Sequence, residues 1–207
     1  MKQLYITCLD LEGVLVPEVW INVAQKTGIE KLKLTTRDIP DYHELMRLRL
    51  KIVEEHGLTL KAIQEVIGQL QPFEGALEFL IWLKQRSQVV ILSDTFAEFA
   101  KPLMEKLGMP TLFCHNLTVE PGLGKILDYH LRIEDPKRKA VKAFKDLNFK
   151  TIAAGDSFND VSMLEEADHG IFFRPPAAIA AQFPQYPVVQ DYQAFKAELS
   201  KHLPEPW

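Results

Sequence analysis

Three short apolar runs in this 207-residue chain each stop at a carboxylate. Leu4 to Leu9 leads into Asp10 and Glu12. "QVVIL" at 88–92 leads into Ser93 and Asp94. "TIAAG" at 151–155 leads into Asp156, Ser157, Asn159 and Asp160. Short apolar runs bounded by turn signals read as buried strands, and the segments between them carry helical spacing. Strand–helix alternation requires a mainly parallel sheet with helices on both faces. The expected fold is therefore α/β and Rossmann-like. In such open sheets ligands bind at the carboxyl ends of the strands, which is where the acids stand.

One stretch breaks the alternation. After a first strand at about 4–9, apolar positions 19, 23 and 24 indicate a short helix closed by Gly28. Positions 45, 48, 52 and 53 indicate a stronger helix stopped by Gly57. Thr59 is placed to cap a third, which ends before Pro72. Residues 15–72 thus read as a helical block without a strand, a small cap inserted after strand 1. The core is left as 1–14 and 73–207. After Pro72 the alternation resumes with the helix "GALEFLIWLKQR", the strand "QVVILSD" and the helix "TFAEFAKPLMEKLGM". A hairpin, "TLFCHNLTVE" and "KILDYHLRI", turns at "PGLG". Three further strands, "KTIAAGDS", "GIFFR" and "PVVQ", alternate with four helices to the end.

Composition excludes several classes of function. A formal charge of −4 and a pI near 5.9 argue against a nucleic-acid surface, though not against a local basic pocket. Two cysteines make no disulfide framework, and six histidines show no zinc-ligand spacing. No signal peptide and no apolar run of ~18 residues is visible. The expectation is a cytoplasmic protein with neither membrane nor nucleic-acid partner; a homodimer is left open.

Strand alternation aims Asp10 and Glu12 to the same side, and Gly13 permits a sharp exit. Crowded carboxylates repel unless they are protonated or share a cation. All-oxygen donors favour Mg²⁺ or a similar hard ion. Asp94, Asp156 and Asn159 also have a plainer use as helix caps, whereas Asp10 and Glu12 precede no regular helix start. Lys137 follows Pro136 in a first helical turn, where the dipole disfavours a cation. It either neutralises an anionic group in the site or, with Arg138 and Lys139, belongs to a solvated basic face. Arg49, in "RLRLK", is either a solvated helix residue or a carboxylate clamp.

The motifs "DLEGV" (10–14), "SDT" (93–95), "KRKAV" (137–141) and "GDSFND" (155–160) resemble, in this order, the four motifs of the haloacid-dehalogenase-like phosphotransferase superfamily. "LEGVLVPE", "TTRDIPDY", "ILSDTF", "DPKR" and the "AAGDS" and "ND" of 153–160 are similar to its ThrH-type phosphoserine phosphatases and homoserine phosphotransferases. The resemblance implies Asp10 as the nucleophile that becomes an aspartyl-phosphate. It implies Mg²⁺ held by Asp10, the Glu12 carbonyl and Asp156, with Asp160 close by in the outer shell. Ser93 and Lys137 would hold phosphoryl oxygens, and Asp94, beside Ser93 in the "SDT" motif, would also bind the substrate. Asn159 would touch the substrate. Glu18 and Arg49 would take the amino and carboxylate groups of phosphoserine, with homoserine as a second acceptor. The superfamily usually places Asp two residues after the nucleophile. Here Glu12 stands there, one methylene longer, in the position that moves the proton. Two other readings are a phosphatase for a nucleotide or sugar phosphate, and a regulatory phospho-acceptor domain.

Overall fold

The computed structural model describes residues 3–36, 38–39 and 41–206; Arg37 and Pro40 of the "TTRDIPDY" motif lie outside the described residues. Among the described residues seven strands form one sheet: β1 (Tyr5–Leu9), β2 (Gln88–Phe96), β3 (Thr111–Val119), β4 (Ile126–His130), β5 (Lys150–Gly155), β6 (His169–Phe173) and β7 (Val188–Val189). Their spatial order is β4-β3-β2-β1-β5-β6-β7. Every neighbouring pair is parallel except β3 with β4, the expected hairpin at the sheet edge. The central strand, β1, lies between β2 and β5. The three acid-tipped strands are therefore adjacent, which gathers their ends into one place.

Around the sheet run α1 (Val19–Thr27), α2 (Tyr42–Glu55), α3 (Leu60–Gln69), α4 (Ala76–Lys84), α5 (Ala97–Lys106), α6 (Pro136–Asp146), α7 (Val161–Glu166), α8 (Ala177–Gln182) and α9 (Tyr192–Leu199). Strand alternation decides which helix covers which face. Ile6, Cys8, Val90, Leu92 and Ala153 pack with Val141 of α6 and Met163 of α7. Leu9, Ile91, Ile152, Ala154 and Ile171 face the other way, toward Phe79 of α4 and Phe195 of α9. Cys8 is a fully buried core residue, as its apolar setting suggests.

Residues 15–72 carry α1, a 3-10 turn at Glu30–Lys33, α2 and α3, and among the described residues no strand of the sheet. Asp41 caps α2 through the amides of His43 and Glu44, and Thr59 caps α3 through the amide of Ala62. The apolar side chains of this inserted segment do not form a separate nucleus. Leu32, Met46, Ile52, Val53, Ile63 and Ile67 belong to the same cluster as Leu9, Phe79 and Phe99 of the sheet layer. Lys125 and Gly124, at the turn of the hairpin, hold the segment from outside. Lys125 pairs with Glu54 at 2.8 Å, and the Gly124 carbonyl accepts the amide of Leu60 at 2.7 Å.

One boundary differs from the sequence reading. "TF" of "TFAEF" is not helical: β2 continues to Phe96 and α5 begins at Ala97. The cause is tertiary. After a register shift beyond Leu92, Phe96 pairs with His115 of β3, which holds this stretch extended. The Thr95 amide is thus part of a strand end, and Phe96 is both the last residue of β2 and the N-cap of α5.

A long-range bond closes the layer. The Tyr192 hydroxyl of α9 donates to the carbonyl of Val14 at 2.6 Å, and its ring stacks on Phe79 and Phe173. Tyr192→Phe would leave that buried carbonyl without its donor, at a cost of about 1–3 kcal/mol. Urea unfolding should show a lower midpoint with an unchanged slope.

Candidate active site

The site grows from the end of β1. Asp10 is fixed by its own amide, which donates to the Ala154 carbonyl of β5 at 2.9 Å. The chain then turns tightly: the amides of Leu15 and Val16 return to the Leu11 carbonyl, and that of Gly13 donates to Val16. Gly13 has φ of +78°, and Asp156 packs against it so closely that a Cβ there would lie 2.5 Å from the Asp156 Oδ2. The missing side chain is what lets the β5 carboxylate reach the β1 loop. Gly155 plays the same part for Asp160, whose side chain fills the space a Cβ would need.

Asp160 is fully buried, and both its oxygens are engaged. Oδ2 accepts from the amides of Asp156 and Ser157 and from the Ser157 hydroxyl, all at 3.0 Å. Oδ1 accepts from Lys137 Nζ at 2.7 Å. The same Nζ donates to Asp10 Oδ1 at 2.9 Å and lies 3.5 Å from Asp94 Oδ2. Three carboxylates thus outweigh both the burial of Lys137, which disfavours its charge, and the helix dipole. The lysine is held well above its ordinary pKa. The solvated-face reading does not hold for Lys137, which is 4% exposed, whereas Arg138 beside it is a surface residue paired with Glu166.

The capping alternatives can be checked residue by residue. Asp94 caps nothing: Phe96 occupies the N-cap of α5, without a side-chain bond. The turn at 158–160 is closed by a capping box of Ser157 and Asp160, so Asp156 and Asn159 are not its caps. Glu12, by contrast, does meet a helix start. Its Oε2 accepts the amide of Val19, the first residue of α1, at 2.8 Å. That bond spans a loop and has no local sequence signal.

The electrostatics suit a bound cation. Burial, then the neighbouring carboxylates Asp160 and Asp156, push Asp10 well above the usual carboxylate range against the pull of Lys137. Asp94 goes the other way. Burial would raise it, but Lys137 and then His115 outweigh that and hold it low. Burial and the adjacent Glu18 push Glu12 up to about 8, against the Val19 amide and Arg49. Asp10, Asp156 and Asp160 each place an oxygen within 4.8 Å of the others. One ammonium among these acids leaves negative charge in excess. A hard divalent cation fits this all-oxygen donor set. Since Asp160 is saturated by the protein, Asp10 and Asp156 are the side chains suited to hold the ion directly.

Above this floor lies a cavity of about 610 Å³, bordered by every residue singled out from the sequence except Asp160, which lies beneath it. Its roof comes from α1 and α2. Arg49 is only 8% exposed, so the solvated reading fails for it too. A terminal nitrogen donates to the Leu34 carbonyl at 2.8 Å, and the guanidinium lies 4.9 Å from the centre of the Trp20 ring. Its Nε is buried and, among the described residues, has no hydrogen-bond partner. An unsatisfied buried donor is expensive, and here it belongs to a side chain that lines a polar cavity. Two contacts had no pattern in the sequence to announce them. Tyr42 of α2 reaches down to donate to the Asp94 carbonyl at 3.0 Å. His115 of β3 approaches Asp94 from beneath, with Nε2 3.5 Å from Oδ1.

A family model for haloacid dehalogenase-like hydrolases matches residues 8–168. The chain is 58% identical over 196 residues to phosphoserine phosphatase ThrH of Pseudomonas aeruginosa, covering 95% of each chain. It is 57% identical to a phosphoserine phosphatase of Pseudomonas syringae pv. tomato, covering 95% of this chain and 82% of that one. In fold it is similar to a crystal structure of phosphoserine phosphatase in apo form, with a TM-score of 0.76 at 22% identity, covering 98% of this chain and 100% of the other.

The close packing of Asp156 on Gly13 makes a direct test of the acidic cluster. Gly13→Ala would force the carboxylate away and strain a left-handed residue by about 1–2 kcal/mol. Calorimetric titration should show divalent-cation binding weakened on the order of tenfold or more.

Proposed function

We propose that this chain, which belongs to the haloacid dehalogenase-like hydrolase family, is a Mg²⁺-dependent phosphoserine phosphatase that works through an aspartyl-phosphate at Asp10. The observation that carries the substrate is Arg49. A buried guanidinium with an unpartnered Nε borders the same cavity as Asp10, Ser93 and Lys137, with Glu18 also on its lining. One end of the cavity suits a phosphoryl group and the other an amino acid. The 58% identity to a protein named phosphoserine phosphatase ThrH supports the same reading.

In this mechanism Lys137 and Ser93 hold phosphoryl oxygens, and Asp10 attacks phosphorus in line. The leaving serine oxygen takes a proton from Glu12. That residue is suited to donate, because burial and Glu18 favour its protonated form. Glu12, now ionised, then takes a proton from the incoming acceptor as it attacks the aspartyl-phosphate, which frees Asp10. Mg²⁺, held by Asp10, Asp156 and the Glu12 carbonyl with Asp160 behind them, would neutralise charge on the phosphoryl oxygens. Asn159 would contact the bound substrate. Residues 15–72 act as the cap that supplies Glu18 and Arg49. A nucleotide or sugar phosphate would leave these two without partners, and a passive phospho-acceptor would have no use for Glu12.

The discriminating assay measures phosphate release from phosphoserine and from para-nitrophenyl phosphate, with Mg²⁺ and with chelator. Release should require Mg²⁺. Arg49→Ala should lower kcat/KM for phosphoserine by roughly 10- to 150-fold, the worth of a charge-assisted hydrogen bond of about 1.5–3 kcal/mol. It should change the aryl phosphate little, since that has no carboxylate. Equal losses on both would remove the amino-acid assignment.

The cap contacts fit any amino-acid alcohol, so homoserine is proposed as a second acceptor of the phosphoryl group. Glu12 reaches one methylene further than aspartate and narrows the space beside the phosphoenzyme. Glu12→Asp should therefore raise the ratio of free phosphate to phosphohomoserine at fixed homoserine, with both products measured from labelled phosphoserine. An unchanged or lower ratio would assign the partition to the cap's affinity for homoserine.

A further inference from the structure

His115 is a buried polar residue that the mechanism above does not use. It is 2% exposed and sits in β3, two strands away from the nucleophile's own. Its Nδ1 accepts the amide of Arg132 at 3.2 Å. A neutral imidazole whose Nδ1 accepts must carry its proton on Nε2. That nitrogen faces Asp94 Oδ1 at 3.5 Å, while Asp94 Oδ2 lies 3.5 Å from Lys137 Nζ. Lys137 in turn donates to Asp10 at 2.9 Å. The chain of contacts is therefore backbone amide of Arg132, imidazole, Asp94 carboxylate, lysine ammonium, nucleophile.

Asp94 has one oxygen for each neighbour. Without His115 its carboxylate could rotate and withdraw Oδ2 from Lys137, leaving the ammonium to its shorter contacts with Asp10 at 2.9 Å and Asp160 at 2.7 Å. The main-chain carbonyl of Asp94 is pinned separately by Tyr42, so the imidazole governs the side chain alone.

We propose that His115 is a positioning residue for phosphoryl transfer: it orients the Asp94 carboxylate where it borders the cavity, beside Lys137. His115 touches neither substrate nor metal. The proposal rests on Asp10 and Lys137 forming the phosphoryl centre. Turnover of para-nitrophenyl phosphate by the wild-type protein tests that premise separately, since failure there would remove the centre itself.

The test compares His115→Gln, His115→Asn and His115→Phe on phosphoserine and on para-nitrophenyl phosphate. Glutamine can present an amide donor where Nε2 stands. Asparagine is shorter and can keep the Arg132 contact without reaching Asp94. A positioning role predicts that H115Q retains most of kcat, while H115N and H115F lose on the order of 10- to 100-fold. The loss should be the same for both substrates with little change in KM, because the amino-acid contacts are untouched. In a double-mutant cycle, D94N with H115F should be no slower than D94N alone. Multiplying factors in the cycle, or a faster H115N than H115Q, would overturn the proposal. If H115F fails to fold, the order of the two amide variants decides the question.

Discussion

Everything in this site depends on how one buried ammonium is shared among carboxylates that would otherwise repel each other. Lys137 meets Asp10, Asp160 and Asp94 at once. Asp160 spends its second oxygen on the turn that ends β5, and Asp94 leans on His115. Each acid is thereby fixed for a different reason, and of the three clustered acids Asp10 and Asp156 border the cavity. The arrangement also explains why glycines stand at 13 and 155: only an absent Cβ lets the acids of β5 approach so near.

The roof is tied to this floor by two bonds of different character. Glu12 receives the first amide of α1, so the residue suited to move the proton is anchored to the start of the inserted segment. Tyr42 receives no charge but spans from α2 to the Asp94 carbonyl. The helices that carry the roof and the strand ends that carry the acids are thus elements that already touch.

Much of this was legible in the sequence, for identifiable reasons. Alternation of short apolar runs with helical spacing is a local signal, and it located the strands, the hairpin and the inserted helices. The acids were visible because carboxylates at the ends of buried strands are conspicuous, and the order of motifs specified the family. Arg49 could not be decided, since a helix pattern does not say which helix face will be covered; its burial under Trp20 does. The continuation of β2 through Phe96 depends on pairing with His115, which is nineteen positions away along the chain, so no window over "TFAEF" contains it. His115 and Tyr42 lie in ordinary strand and helix patterns and acquire their roles only through the fold. The same holds for Glu12 and Val19, whose bond crosses a loop.

The shared apolar cluster has a consequence for how the molecule comes apart. Side chains of α2 and α3 belong to one apolar cluster with those of α4 and α5, and α3 packs on α5. Exposing one set to water exposes the other, so neither has a free-energy minimum of its own to retreat to. Insertion and sheet should lose their structure in one cooperative melting step. The roof of the cavity then has no less thermal resistance than its floor.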